Sequence, residues 1–272
     1  MRDNKYRFKL GDFECLAVLD NTYPATVDLL FSNISPDVTK PIMKKRGYPV
    51  KNIVLSGICL VINTGSDWVL LDTGIGDLQE GSKLRQILDE EEIRPDHIIL
   101  THAHLDHYGG LVDRDGNLCF PNAQIYMCRD EWAIFTSEAY LEENPDRAEV
   151  ICKHLLPAET QMERVECRGE ILPGFSILPL PGHTPHHIAI VIESNEQKLI
   201  FSGDVLPHPL HLEHLNWQFG FDSDPILGCD SRTRLAEVAS ESGALVLAYH
   251  FDFPGLGHII EQGNGWKWQP LN

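Results

Sequence analysis

Residues 101–110 read THAHLDHYGG and place four candidate metal ligands within six positions: His102, His104, Asp106 and His107. Imidazole nitrogens and carboxylate oxygens suit zinc, iron, cobalt and manganese. The preceding residues 97–101, HIILT, have the composition of a buried strand, and a glycine pair follows at 109–110. Side chains alternate along a strand, so we expect both His102 and His104 on one side, with Asp106 and His107 on the turn beyond. The sequence therefore predicts a metal site.

Length and composition favour a soluble globular protein with either one large α/β domain or two small ones, and we expect a single domain over residues 1–272. Of the 272 residues, 43% are hydrophobic and 23% are charged, both ordinary values. A formal net charge of −18 argues against nucleic acid as a partner. The sequence has neither an apolar signal segment at its start nor a stretch of about 20 apolar residues that would span a bilayer. We therefore expect a cytoplasmic protein with no membrane partner.

The cysteine content also favours a cytosolic protein. There are seven of them, mostly in apolar runs and without a CxxC pair. We expect reduced, buried thiols, as in a cytosolic protein.

The periodicity of the chain predicts an α/β fold with two runs of strands, each followed by helices, which favours two sheets with helices outside. Residues 21–51 are predicted to form a mostly helical or irregular cover. The predicted strands are 15–19, 53–63, 68–72, the strand at 97–101 that precedes the first candidate ligands, 124–128, a strand near 165, 175–180, 188–193, 199–202 and, as the last, 244–248. The predicted helices are 82–92, 129–143, 146–155 and 230–242, with Ser82 and Asp230 as N-caps of the first and last.

Three later segments repeat the pattern of an apolar strand that ends in a possible ligand. LPLPGH ends at His183, LIFSGD ends at Asp204 and LVLAYH ends at His250. A single histidine or aspartate at a strand end is usually a cap or a surface residue. With the first cluster, however, the set becomes five histidines and two aspartates, which is enough for two metal ions that share a carboxylate.

The order HxHxDH, GHT, GD and a strand-terminal histidine resembles the metallo-β-lactamase superfamily of hydrolases, and the resemblance covers nearly the whole chain. It implies a metallo-β-lactamase fold, an αββα sandwich of two mixed β-sheets flanked by helices. It also implies two divalent metal ions, with zinc as the default and iron, manganese or cobalt as alternatives. The motif positions assign seven ligands in two sets: His102, His104 and His183 for one ion, Asp106, His107 and His250 for the other, and Asp204 as the bridge.

Two further residues are expected to support the ligands from behind. Asp72 resembles the buried acid of the superfamily, which orients ligand histidines, and its alternative role is to cap the turn at 74–76. His187 is a second candidate for such an orienting contact, and its alternative role is to begin the next strand. The roles of His186, His208, His211 and His214 stay open, with a surface position expected for the last three.

Downstream, the text GDVLPHPLHLEHLNW…FDSDP…YHFDFPGLGH looks most like the branch with methyl parathion hydrolase, lactonases and arylesterases. This similarity implies hydrolysis of an ester, lactone or phosphotriester by a metal-bridging hydroxide, with Asp106 and Asp204 as catalytic residues. The expected substrate is a small molecule with an apolar substituent. One departure is Pro207, which stands where quorum-quenching lactonases carry a tyrosine.

Candidate pocket residues come from the aromatic and histidine content near two ligand segments: Trp217, Phe219, Phe251 and His258. Core packing is the alternative for the aromatic members, and a surface position is the alternative for His258. Two other functions remain open, a thioester hydrolase resembling hydroxyacylglutathione hydrolase and a low-turnover binding protein on the same fold. The first would be expected to carry an added C-terminal domain, whereas 22 residues follow His250. A homodimer is predicted from the branch and from the apolar stretch at 27–31.

Overall fold

The computed structural model describes residues 4–263 and 265–271. The strands in these ranges are β1 (Lys5–Leu10), β2 (Phe13–Ala25), β3 (Ile53–Asn63), β4 (Trp68–Leu71), β5 (His97–Ile99), β6 (Gln124–Cys128), β7 (Met162–Val165), β8 (Gly169–Leu172), β9 (Phe175–Pro179), β10 (Ile188–Ser194), β11 (Gln197–Phe201), β12 (Leu245–Leu247), β13 (Leu256–Gln262) and β14 (Gly265–Pro270). The α-helices are α1 (Val27–Leu30), α2 (Pro36–Lys45), α3 (Leu84–Glu90), α4 (Leu105–Tyr108), α5 (Arg129–Phe135), α6 (Glu138–Glu143), α7 (Pro145–His154), α8 (Leu210–Glu213) and α9 (Pro225–Ser242).

The strands form two seven-stranded sheets, each from a continuous half of the chain. The first sheet has the order β1-β2-β3-β4-β5-β6-β7, and the second has the order β14-β13-β12-β11-β10-β9-β8. Both sheets are mixed, because β4 to β7 run parallel in the first and β11 runs parallel to β12 in the second. The predicted α/β sandwich of two mixed sheets is confirmed.

The main core lies between the sheets, and helices cover their outer faces. Ile58 and Ile62 of β3 belong to the same buried cluster as Ile190 of β10 and Phe201 of β11. Ala189, the neighbour of Ile190, belongs instead to a cluster beneath α9. With both faces of β10 covered, its sequence is a continuous apolar run and not an alternating one.

The segment 21–51 differs in part from the predicted cover. Strand β2 continues to Ala25, and only then do α1 and α2 begin. Val27, Leu30 and Phe31 are buried in a third cluster with Trp217 and Phe219. The apolar stretch at 27–31 is therefore covered within the chain, and it gives no support to a dimer.

Several predicted boundaries are wrong at the C-terminal side. Helix α9 begins at Pro225 and not near residue 230, because the Asp224 carboxylate accepts hydrogen bonds from the backbone amides of Ile226 and Leu227 at 3.1 and 3.0 Å. This N-cap precedes a proline at the first helical position, which is favourable there. The strand near 245 is also not the last, because β13 and β14 extend the sheet beyond it.

The N-cap predicted at Ser82 is wrong as well. Helix α3 begins only at Leu84, and the Ser82 hydroxyl donates to Asp20 at 2.6 Å. The same Asp20 carboxylate accepts from the backbone amides of Lys83 and Leu84 at 3.0 and 2.9 Å. An acid on β2 thus supplies the hydrogen bonds that a local cap would otherwise provide.

The expectation of reduced cysteines is wrong for one pair. Cys128 at the end of β6 and Cys167 before β8 form a disulfide. Among the remaining cysteines, Cys15 and Cys59 are buried thiols as expected, whereas Cys152 is exposed. The pairing joins residues 39 positions apart, and such proximity is a property of the fold that spacing in the sequence did not reveal.

In the part of the chain that the structure describes, no helix combines the length and the apolar character needed to cross a bilayer.

Candidate metal centre

The predicted ligands gather at the ends of neighbouring strands from both sheets. Residues 101–107 follow β5, Asp204 follows β11 and His250 follows β12. The local structure differs from the prediction at 101–107. Strand β5 ends at Ile99, His104 is the extended residue before α4, and Asp106 and His107 lie on that one-turn helix. The one-turn helix α4 therefore positions Asp106 and His107 near the other ligands, where a non-helical turn was expected to position them.

The first set of predicted ligands is compact. Donor atoms of His102, His104, His183 and Asp204 lie within 4.8 Å of one another. His104 Nδ1 is 2.8 Å from His183 Nε2, and His183 Nε2 is 3.3 Å from Asp204 Oδ2. Three imidazoles and a carboxylate in one space form the donor set of a borderline divalent cation.

The second set shares Asp204 with the first. Donor atoms of Asp106, His107, Asp204 and His250 also lie within 4.8 Å of one another. Asp204 Oδ1 is 3.1 Å from His107 Nε2, and Asp204 Oδ2 is 3.0 Å from His250 Nε2. The structure thus brings all seven predicted ligands together, in the two sets implied by the motif, with one carboxylate common to both.

Burial and the charges of neighbouring groups shift the pKa of Asp204 in opposite directions. Burial would raise the pKa of Asp204, but the adjacent imidazoles of His107 and His250 hold that pKa well below its ordinary value. Burial, together with neighbouring histidines, keeps the pKa of His102 well below its ordinary value. Against the effect of burial, Asp204 raises the pKa of His107 and His250 above its ordinary value, so protons on these two imidazoles would compete with a cation.

Unsatisfied buried atoms provide a test of whether a metal fits. His102 Nε2, His107 Nε2 and Asp204 Oδ1 are buried without a hydrogen-bond partner. Buried polar atoms in native proteins nearly always have a partner, and an unpaired one calls for an explanation such as an ion. The three atoms face the two sets described above, so the residues fit two divalent ions.

Asp72 lies behind the second set. Its Oδ2 is 2.6 Å from His107 Nδ1, and its Oδ1 accepts from the Thr101 amide at 2.8 Å. Asp72 is fully buried and adopts a left-handed conformation, with φ of 56°, which is uncommon for a residue other than glycine. Asp72 therefore contacts a predicted ligand directly, and its role in orienting that ligand stays a prediction.

His187 contacts the backbone of the shared aspartate. Burial lowers the pKa of His187 to about 3, and its Nε2 accepts a hydrogen bond from the Asp204 amide at 3.0 Å. A Cβ on the intervening Gly203 would lie 2.6 Å from this nitrogen, and φ at Gly203 is +53°. Glycine at this position therefore allows His187 to hold the backbone that carries Asp204.

Sequence reasoning missed a buried ion pair that supports His183. Asp222 Oδ1 is 3.3 Å from His183 Nδ1, and its Oδ2 accepts from Arg232 Nη1 at 2.9 Å. Both partners of this ion pair have fully buried side chains. The FDSDP text contained the acid, but its partner lies ten residues further along, on α9, so no local pattern joined them.

Glu131 on α5 is a second residue that sequence reasoning missed. It is fully buried and accepts backbone hydrogen bonds from Ala103 and His186, both at 3.0 Å. It thereby ties the loop of the first histidines to the loop of His183. His186 is held through its backbone amide, which donates to Glu131.

A cavity of about 490 Å³ opens over the predicted ligands. Asp106, His183, Asp204 and His250 contribute to its lining, and most of the remaining wall is apolar. Of the predicted pocket residues, Phe219 lines this cavity and its ring lies parallel to His183 at 5.9 Å.

The other three predicted pocket residues lie elsewhere. Trp217 packs on Phe31 with ring centroids 4.9 Å apart, and Phe251 packs on Trp268 at 4.9 Å. His258 is on β13, where its Nδ1 is 3.1 Å from the Ala244 carbonyl oxygen. These predictions are wrong because proximity in sequence to a ligand does not determine the direction of a side chain.

The histidines of the 205–225 loop also differ from expectation. His208 and His211 are buried against Phe31, and His214 stacks on Trp217 at 3.9 Å. The predicted surface position is therefore wrong for His208 and His211, which pack under the cover segment.

Comparisons with known proteins agree with this geometry. The model of the Metallo-beta-lactamase superfamily matches residues 53–113. An N-acyl homoserine lactonase of Bacillus sp is 29% identical over 235 residues, 77% of this chain and 83% of the relative. The solved structure of hydrolase AbOPH, described as in the beta lactamase superfamily, has a TM-score of 0.92 at 23% identity and covers 100% of this chain and 99% of its own. The chain is thus similar to the metallo-beta-lactamase superfamily in sequence over residues 53–113, and it has the metallo-beta-lactamase fold.

A second solved structure within this fold is AidC, described as a dizinc quorum-quenching lactonase in complex with a product. It has a TM-score of 0.89 at 23% identity and covers 99% of this chain and 98% of its own. The superfamily model ends at residue 113, so it includes only the ligands of the first motif. The alignment with the lactonase, which covers 77% of this chain, extends the sequence similarity beyond residue 113.

We predict that Asp222→Asn weakens metal binding by about 10- to 100-fold, because it removes the anion that orients His183. Chelator competition on the purified variant measures this change. The substitution also leaves Arg232 buried and unpaired, which lowers the free energy of unfolding by about 3–5 kcal/mol.

The double variant Asp222→Asn, Arg232→Met separates the two effects. It should recover stability in urea unfolding, because no buried charge is left alone, while metal binding stays weak. Recovery of both properties together would show that Asp222 acts on folding and not on His183.

Proposed function

We propose that this chain, a metal-dependent hydrolase of the metallo-beta-lactamase superfamily, cleaves lactones or related esters that carry an apolar acyl group, using two divalent ions. The single observation that carries the proposal is the placement of two ligand sets sharing Asp204 at the base of a largely apolar cavity. Relatives named N-acyl homoserine lactonase align over more than three quarters of the chain and support this substrate class.

Each residue has a defined part in this proposal. The two sets of ligands, joined by Asp204, would hold the ions, which would supply Lewis-acid charge and lower the pKa of water toward about 7. The Asp106 side chain is 22% exposed, more than the other carboxylates of the site, and it borders the cavity. In this proposal Asp106 would accept a proton from the attacking water and return it to the leaving oxygen.

The cavity wall accounts for the proposed apolar substituent. Leu29, Leu55, Phe135, Val150 and Phe221 line it, and Phe221 is 58% exposed. Burial of an acyl chain on such a surface contributes about 25 cal/mol per Å² of apolar area. An apolar chain is thus held at the outer wall while the scissile carbonyl lies near the ligands.

A substrate panel tests the proposal. Protein stripped with a chelator and reloaded with zinc, iron, manganese or cobalt is assayed on lactones, p-nitrophenyl esters, a paraoxon-type phosphotriester and a glutathione thioester. We expect activity only after reloading, two ions per chain by elemental analysis, and the highest kcat/KM on a lactone with a long acyl chain. A preference for the thioester, or activity that persists without metal, would refute the proposal.

We predict that Asp204→Asn lowers kcat/KM by about 100-fold or more, because the amide keeps the shape of the bridge but removes its charge. His258→Ala is the matched control and should leave activity unchanged, since His258 lies on β13 outside the cavity lining. Metal content is measured for both variants to separate an empty site from a poorly tuned one. Near-normal turnover of Asp204→Asn with two ions bound would overturn the role of this residue.

A homodimer stays a prediction that rests on the family branch alone. Static light scattering at micromolar concentration distinguishes a dimer from a monomer of 30.7 kDa.

A further inference from the structure

One cation on the cavity wall has no carboxylate partner among the residues that the structure describes. Arg147 on α7 lines the cavity, and its Nη1 donates to the Tyr140 hydroxyl at 2.9 Å. A guanidinium has five N–H donors in a rigid plane, so most of its hydrogen-bonding capacity is left for another acceptor. Val150 and Ile151, on the same helix, contribute apolar surface to the lining.

Tyr140 fixes the guanidinium relative to the metal ligands. The Tyr140 ring packs on Phe135 at 4.7 Å, and Phe135 meets the His104 ring edge-on at 6.3 Å. Phe135 is 3% exposed and part of the main core, so it forms a rigid link between His104 and Tyr140. This series of contacts connects the Arg147 guanidinium to His104 on the wall of the same cavity.

The charge nearby indicates which acceptor fits. Asp146, the residue before Arg147, also lines the cavity, and the chain has a net charge of −18. A carboxylate or phosphate on the substrate would meet Asp146 as well as Arg147. A neutral carbonyl oxygen accepts a hydrogen bond from the guanidinium without this repulsion.

We propose that Arg147 binds an amide carbonyl in the acyl group of the substrate and so selects N-acylated lactones over alkyl lactones. The inference rests on the proposed lactone hydrolysis. In this arrangement Arg147 determines specificity, because it contacts the substituent and takes no part in bond cleavage. Tyr140 is the positioning residue that holds it.

The test compares two substrates that differ in the amide. Metal-reloaded wild type, Arg147→Met and Tyr140→Phe are assayed on N-hexanoyl homoserine lactone and on γ-decalactone, which has an alkyl chain and no amide. For Arg147→Met we expect KM for the amide lactone to rise about tenfold or more, with kcat little changed. KM for γ-decalactone should stay within about threefold, and Tyr140→Phe should give a smaller shift in the same direction.

Arg94→Met is the matched control, since it removes a charge of the same kind from a side chain that is 70% exposed and does not line the cavity. It should change neither KM. An equal rise of both KM values in Arg147→Met would show that the residue only shapes the cavity, and no rise in either would show that it does not contact the substrate. Both outcomes overturn the inference.

A binding measurement separates this inference from the proposed function. Dissociation constants of both lactones are determined by calorimetry for the wild type and for Arg147→Met. If the wild type hydrolyses neither lactone, the proposed function fails. The difference in binding between the two proteins still decides the role of Arg147, because weaker binding of the amide lactone alone supports it and any other pattern overturns it.

Discussion

The carboxylate of Asp204 is the group on which the arrangement of the site depends. It is buried, it belongs to both ligand sets, and three imidazoles lie within 3.3 Å of its oxygens. A buried anion without compensation is costly, so either protons on these histidines or cations must balance it. Burial opposes protonation of His107, yet Asp204 and Asp72 keep the pKa of His107 well above its ordinary value.

The shell around the ligands consists largely of acids that have their own partners. Asp72 holds His107, Asp222 holds His183, and Glu131 holds two backbone amides of the histidine loops. Each contact restricts a ligand that would otherwise rotate or move with its loop. Preorganisation of this kind lowers the conformational cost of binding a cation. The site is therefore rigid because of hydrogen bonds that are absent from the ligand motif itself.

The sequence was sufficient to predict those features in which ligand-type residues follow strands with a clear apolar pattern. The ligands could be predicted because each follows an apolar strand, and the sandwich because the strands fall in two runs. The pocket could not be predicted in the same way. Trp217 and Phe219 lie two residues apart in one loop, yet Trp217 packs on the cover segment and only Phe219 lines the cavity. Their directions depend on contacts with Phe31 and His183, which are remote in sequence.

The contribution of one continuous half of the chain to each sheet has a consequence for assembly. The half of the chain that forms β1–β7 contains four of the predicted ligands, and the half that forms β8–β14 contains His183, Asp204 and His250. Neither half alone holds a complete set, because Asp204 is shared. Ions bound by these two sets would therefore link the two segments and would stabilise the associated state by mass action. If the chain were cut between β7 and β8, the association of the two fragments would thus depend on metal ions.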